Sequence, residues 1–501
     1  MQGSTLGNIT PNINPDNNQD NNEPRIVQTD AGNINGQNKC PNCGATDISL
    51  NVNTGKLRCN YCRTEFENKQ VSGMEEDIAS LNGVVYGSGT QDIVADTNDV
   101  LTFKCSSCGA EVVIDTSMAN QARCHWCRST LSVNQQIPNG SVPDVVLPFK
   151  VTKDEAKKLI EDFVGNRKFF AHPKFKSEFT TNNIMGVYFP YMVVDINGHS
   201  HLSGTAEKTV RKYTRGFGND STTYYDADVF NVERSFDISI HGLTVESSKD
   251  KLNNSATDKT NNIINAIMPF DIENCSKYNA NYLKGFTSEK RDVNIDLLKP
   301  LINTQAEDIA RFAANDTLKS YDRGTKWDYE DFKIIGEQWK SAYLPVWLYS
   351  YQEIKGEEKL LHYVAVNART KETMGSVPIH MPKLLGISFL IEVLGFIAYL
   401  FIDFDYNWTF LLVGIIYFLV IFLKYRNANA RHTYETDTKK EIRNLDTKDN
   451  YVTRKTGLTS ARIRNANSNS LGGKSEGNVI VDNIVENSAI AKFISDQVNK
   501  K

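Results

Sequence analysis

Eight of the nine cysteines fall into four Cys-x-x-Cys pairs: Cys40 and Cys43, Cys59 and Cys62, Cys105 and Cys108, Cys124 and Cys127. They form two units that repeat at a period of 65 residues and share the frame C-x-x-C-G-A, twelve residues, R-C-x-x-C-R. In each unit fifteen residues, 44–58 and 109–123, separate the inner cysteines. A Cys-x-x-Cys turn aims two sulfurs at one point, and the following Gly44 or Gly109 permits the positive φ that closes it. Two such turns supply the tetrahedral four-thiolate shell that Zn²⁺ prefers. The expectation is two structural zinc sites, one on Cys40, Cys43, Cys59 and Cys62, the other on Cys105, Cys108, Cys124 and Cys127. Four thiolates close the coordination sphere and leave no position for substrate, so zinc catalysis is not expected. Iron–sulfur ligation and redox-active Cys-x-x-Cys pairs are the alternatives.

Short hairpins must position these turns. Ile48, Leu50 and Val52 alternate before Asn53-Thr-Gly55, and Val112 to Ile114 do likewise in the second unit. The reading is a zinc ribbon over 39–66, a linker over 67–103 in which 83–89 is a loop, a second ribbon over 104–132 and a linker over 133–144. His125 and Trp126 lie between the last two cysteines and are expected as exposed knuckle residues.

Further along, 384–402 and 408–423 are two apolar stretches on a five-residue turn, 403–407. The first is 19 residues long with a single charge, Glu392, and a bilayer core needs roughly 20 apolar residues. A two-helix transmembrane hairpin over 384–423 is expected, with Tyr399, Tyr406 and Trp408 at the aromatic-belt level. Lys383, Lys424, Arg426 and Arg431 flank it while the turn carries only aspartates, which puts both flanks in the cytoplasm: a multi-pass cell-membrane protein with cytoplasmic N- and C-terminal regions. That setting keeps the cysteines reduced and favours metal over disulfides. Glu392 marks an ion path, an inter-subunit contact or a hydrogen bond to the neighbouring helix.

The net charge of −4 predicts no general attraction to nucleic acid. Residues 424–464, however, hold 11 Lys and Arg against 5 Asp and Glu, read as a topology signal in contact with anionic lipid. Residues 1–38 are Asn-rich, lack a cationic start and an apolar run, and read as a disordered tail without a secretory signal. Residues 424–478 read as a basic, mostly irregular tail and 479–501 as an amphipathic helix.

Between ribbons and hairpin, 145–380 reads as a mainly antiparallel α+β cytosolic domain. Val146-Leu-Pro-Phe149 and Ile267-Met-Pro-Phe270 share a pattern, as do Tyr188-Phe-Pro190 and Tyr343-Leu-Pro345, which suggests an internal duplication. The prolines belong at strand starts or on an edge. Helices are expected over 154–163 and 304–319, the second carrying an Ile309, Phe312, Leu318 stripe.

No enzyme signature emerges. Leu471-Gly-Gly-Lys474-Ser475 lacks the first glycine of a phosphate loop. Cys275, the unpaired cysteine, reads as a plain buried thiol, and His199 and His201 as solvent-facing residues.

The order of parts resembles bacterial membrane proteins containing zinc ribbons of the transcription factor IIB type. The resemblance covers about 40–425 and rests on the Cys-x-x-Cys turns, the Leu147-Pro-Phe149 phrase, the strands around Tyr188 to Tyr191 and Tyr343 to Trp347, and the late apolar hairpin. The expected function is a membrane-tethered, non-enzymatic interaction or scaffold module with a protein partner, able to oligomerise. One rival is nucleic-acid binding through Arg58, Arg63, Arg123, Arg128, Tyr61 and Trp126; the other is an enzyme housed in 145–380.

Overall fold

The structure, a computed structural model, describes residues 24–27, 29, 40–45, 47–67, 74, 77–90, 100–104, 111–115, 122–124, 126, 130–131, 136–137, 143–215, 222–248, 264–289, 291, 293–355, 358–401, 407–426 and 433–457. The chain is multidomain, with one large mixed sheet and few helices.

Four long strands form a blade. Met185–Arg215 pairs antiparallel with Gly324–Lys355 on one side and with Thr222–Glu246 on the other, and Thr222–Glu246 pairs with Lys439–Gly457. The 31 residues of the first strand span roughly 100 Å at about 3.3 Å each. Its residues 186–198 are all buried, as an almost unbroken apolar run requires when both faces are covered; beyond them one face opens to solvent.

The helix Ile295–Asp316 lies on the blade through Leu298, Ile302, Ala306, Ile309 and Ala313, packed with Phe236, Ile238 and Trp339. It starts nine residues before the expected 304 and carries Pro300 inside it, in the second turn. Phe312 is only half-buried, with Lys440 over its ring at 4.9 Å.

Pro190 and Pro345 sit inside long strands, yet neither breaks a ladder. Pro190 O accepts from Ser247 N (3.1 Å) just past the end of Thr222–Glu246, and Pro345 O accepts from Ala368 N (3.1 Å) just past Glu358–Asn367. Each proline nitrogen faces a place where the flanking strand has stopped. The two Pro-Phe phrases are not equivalent: Phe149 is buried with Tyr188 and Tyr343, and Phe270 on the other face with Phe189 and Leu344.

Three segments depart from their sequence reading. Arg25–Val27, expected within a disordered tail, is a short strand. Gly83–Gly87, expected as loop, is a strand parallel to Gly336–Trp339 and to Arg25–Val27. Gly87 is required there because a side chain would strike the Asp144 carboxylate. Lys439–Gly457, expected as irregular tail, is the fourth blade strand, its basic residues answered by acids such as Asp228 (Arg454, 2.7 Å) and Glu233 (Lys448, 3.2 Å). The expected helix over 479–501 and the Lys474-Ser475 phrase lie outside the described residues.

Candidate metal centre

Cys40, Cys43, Cys59 and Cys62 are brought together, with all four sulfurs within 4.8 Å of one another. Two knuckles achieve this with one hydrogen-bond pattern. Cys40 N donates to Ala45 O (2.8 Å) and Gly44 N to Cys40 O (2.9 Å); Cys59 N donates to Thr64 O (3.0 Å) and Arg63 N to Cys59 O (2.9 Å). The residue closing each turn is left-handed, Gly44 at φ +72° and Arg63 at φ +64°. The hairpin Ile48–Asn51 with Lys56–Cys59 links the knuckles through a turn closed by Gly55 (φ +70°), and Glu65–Phe66 pairs beyond it.

Cys40 Sγ lies 3.6 Å from Cys62 Sγ, and Cys43 Sγ 3.6 Å from Cys59 Sγ. A disulfide would bring them to about 2.05 Å. A tetrahedron with metal–sulfur bonds of about 2.3 Å has sulfur–sulfur edges of about 3.8 Å, so the cage fits a zinc ion. Hydrogen bonds from the Thr64 side chain and backbone draw the Cys62 thiol down to about 5. The Ala45 backbone lowers Cys43, but burial and the three neighbouring sulfurs outweigh it and push that thiol up to about 12. Four sulfurs this close cannot all ionise without a cation among them.

This four-cysteine unit is docked on the domain core. Cys40, Ile48, Leu57 and Cys59 are buried in the same core as Val146, Phe149 and Tyr188. Lys284 Nζ bonds Asp47 Oδ1 at 2.8 Å, and with Asn60 it holds the Asp47 carboxyl below the usual range. Ser49, Asn51, Arg58, Asn60 and Arg63 line an outer groove of about 360 Å³, and Tyr61 is 82% exposed.

Of the second cysteine set, Cys124 is buried, while Cys105, Cys108 and Cys127 lie outside the described residues, as does His125. The 65-residue offset maps Leu57↔Phe66 and Arg58↔Glu65 onto Ala122↔Leu131 and Arg123↔Thr130, and both of those pairs form. Glu111–Asp115 differs from its counterpart: it pairs with Val100–Lys104 and Thr287–Glu289, joining the large sheet. Trp126, expected exposed, is 3% exposed and meets Phe189 and Tyr363 edge-on at 5.7 and 5.4 Å. An indole in a core cannot stack on bases, so the expected aromatic platform loses one of its two rings.

His199 Nδ1 lies 2.8 Å from Asp237 and His201 Nε2 3.8 Å from Glu233, so each histidine pairs with an acid across the ladder. A cleft of about 510 Å³ gathers Asp195, His241, Glu273, Cys275, Lys340 and Lys439. Asp195 bulges from its strand and accepts from Gly242 N (2.8 Å) and Lys340 Nζ (2.9 Å). Burial pushes the Cys275 thiol up to about 12, which leaves it protonated at neutral pH.

The helix Met381–Phe401 is long and apolar enough to cross a membrane. Val413–Arg426, 14 residues and also apolar, lies against it. The helices approach closely at Gly395 and Gly414, where any side chain would strike the backbone of Phe410 or Ser388, and Gly414 N donates to Glu392 Oε2 at 2.7 Å. Sequence reasoning missed Tyr425, whose hydroxyl donates to Arg167 O and accepts from Phe170 N (3.0 Å), fixing this helix to the domain.

The chain matches no family model, no curated protein and no solved structure. What stands is a cluster of four cysteines positioned like a zinc-binding site.

Proposed function

We propose that the chain is a membrane-tethered scaffold: a zinc-stapled body held at the inner face of the cell membrane by a two-helix hairpin, presenting its blade to a protein partner. One observation carries this reading: Cys40 and Cys59 share a hydrophobic core with Leu384 and Tyr425, which stand at the feet of the two apolar helices. Metal staple and membrane foot are thereby one mechanical unit. The closed four-sulfur cage supports a structural role for the metal. A second zinc on Cys105, Cys108, Cys124 and Cys127 follows from the shared frame, and the lysines and arginines around 383 and 424–431 support cytoplasmic flanks.

The full-length chain should resist alkaline extraction from membranes. In intact cells a membrane-impermeant maleimide should label Asp405→Cys in the turn, and should reach Tyr451→Cys on the blade only after permeabilisation. Extraction at alkaline pH, or the reverse labelling, removes the reading.

A second reading, a ligand-binding or catalytic role, is favoured by the acid, histidine and lysine side chains gathered in the cleft around Asp195. Fragment binding in that cleft, lost in Lys340→Ala, would support it.

A further inference from the structure

We propose that Lys168, Lys176 and Lys383, gathered at Phe169, bind the phosphate of an anionic lipid headgroup. This rests on the membrane reading above and names the lipid chemistry the foot of the hairpin selects.

The loop between the helices Lys153–Gly165 and Pro173–Glu178 is clamped by both apolar helices. From one side Tyr425 holds Arg167 O and Phe170 N; from the other Lys383 Nζ donates to Phe169 O at 2.8 Å, and His380 N to Phe170 O at 2.8 Å. The loop is therefore rigid, and it stands at the level where both apolar helices leave the domain.

Its charge is uncompensated. Lys176 Nζ reaches the same Phe169 carbonyl at 3.3 Å, so two ammonium groups converge on one oxygen, with Lys168 next in sequence and exposed. Burial and repulsion from Lys383 and Lys168 hold the Lys176 ammonium below its usual range. Among the described residues no carboxylate pairs with Lys168, Lys176 or Lys383. A phosphate is the ligand that satisfies convergent ammonium groups of this kind.

A lipid, rather than a soluble phosphate, follows from the surroundings. Phe169 is 59% exposed with Lys383 Nζ 3.7 Å from its ring centroid, and Leu390 and Leu394, seven and eleven positions after Lys383 and so on its side of the helix, are exposed. An aromatic ring at the acyl boundary beside headgroup-level cations is the arrangement a membrane interface selects.

The test titrates the full-length protein, purified in a non-ionic detergent, with phosphatidylglycerol and with phosphatidylcholine, read by native mass spectrometry. Wild type should retain phosphatidylglycerol at least ten-fold better. The triple variant Lys168→Gln, Lys176→Gln, Lys383→Gln should lose that preference while keeping its zinc, its phosphatidylcholine binding and its resistance to alkaline extraction. Equal retention of both lipids by wild type, an unchanged preference in the variant, or full displacement by millimolar glycerol phosphate overturns the proposal. Were the membrane reading itself at fault, wild type and variant alike would come off at alkaline pH, which overturns both.

Discussion

Phe189 lies directly across from Leu344 in antiparallel register, and this one pair sets a local two-fold relationship at the centre of the sheet. Tyr188 faces Pro345, Pro190 faces Tyr343, and each proline carbonyl accepts one bond from a flanking strand that has just ended. Both cysteine units pack on this centre, the first on the face of Tyr188 and the second, through Trp126, on the face of Phe189.

Because Phe189 and Leu344 are fully buried and adjacent, each should be costly to truncate. Phe189→Ala should cost about 3–5 kcal/mol and Leu344→Ala about 2–5 kcal/mol. Denaturant unfolding of the double variant should fall short of additivity, since the two share one cavity. Strict additivity would mean they do not pack together.

The two knuckles make opposite predictions. Gly44→Val forces a branched side chain into the left-handed region at a cost of about 1–2 kcal/mol, while Arg63→Gly relieves a comparable strain. Zinc loss to a chromogenic chelator should be faster in the first variant and slower in the second.

Acid titration separates two carboxyls. Burial pushes Asp144 up to about 6 although Thr29, Gly89 N and Ser341 N bond it. With its folded value raised, its stabilising contribution is complete below the ordinary 3.8 and is lost as pH rises through about 6, at most about 3 kcal/mol. Asp47 has the reverse sign: its value is lowered, so the Lys284 contact stabilises above 3.8 and is lost on further acidification. Asp144→Asn should flatten the stability slope between about pH 4 and 6 and leave the slope below about pH 4 unchanged.

Glu207 is buried between Arg323 (3.1 Å) and Lys455 and ties the fourth blade strand to the first. Glu207→Ala leaves two cations facing each other around a lost partner, a cost of about 3–5 kcal/mol. Limited proteolysis should then cut 439–457 before the rest of the chain; uniform digestion would contradict this.

What the sequence made legible was local chemistry. The first four thiols, their hairpin and the apolar helix each declare themselves within a short window, through fixed spacing or a run of apolar residues. What escaped was set by distant partners. The charges of Lys439–Gly457 look like a solvated tail until Asp228 and Glu233, some two hundred positions earlier, are seen to answer them. Trp126 reads as an exposed knuckle because nothing near it in sequence announces Phe189 and Tyr363. The left-handed Arg63 carries no signal either, since its conformation is imposed by the knuckle rather than chosen by the residue.

Zinc content reads the sulfur cage itself. Full-length wild type should hold two zinc ions per chain by mass spectrometry of the metal, and the pair Cys59→Ser, Cys62→Ser should hold one fewer. Zinc content unchanged by that pair, or wild-type sulfurs that titrate as disulfides with no zinc bound, would contradict it.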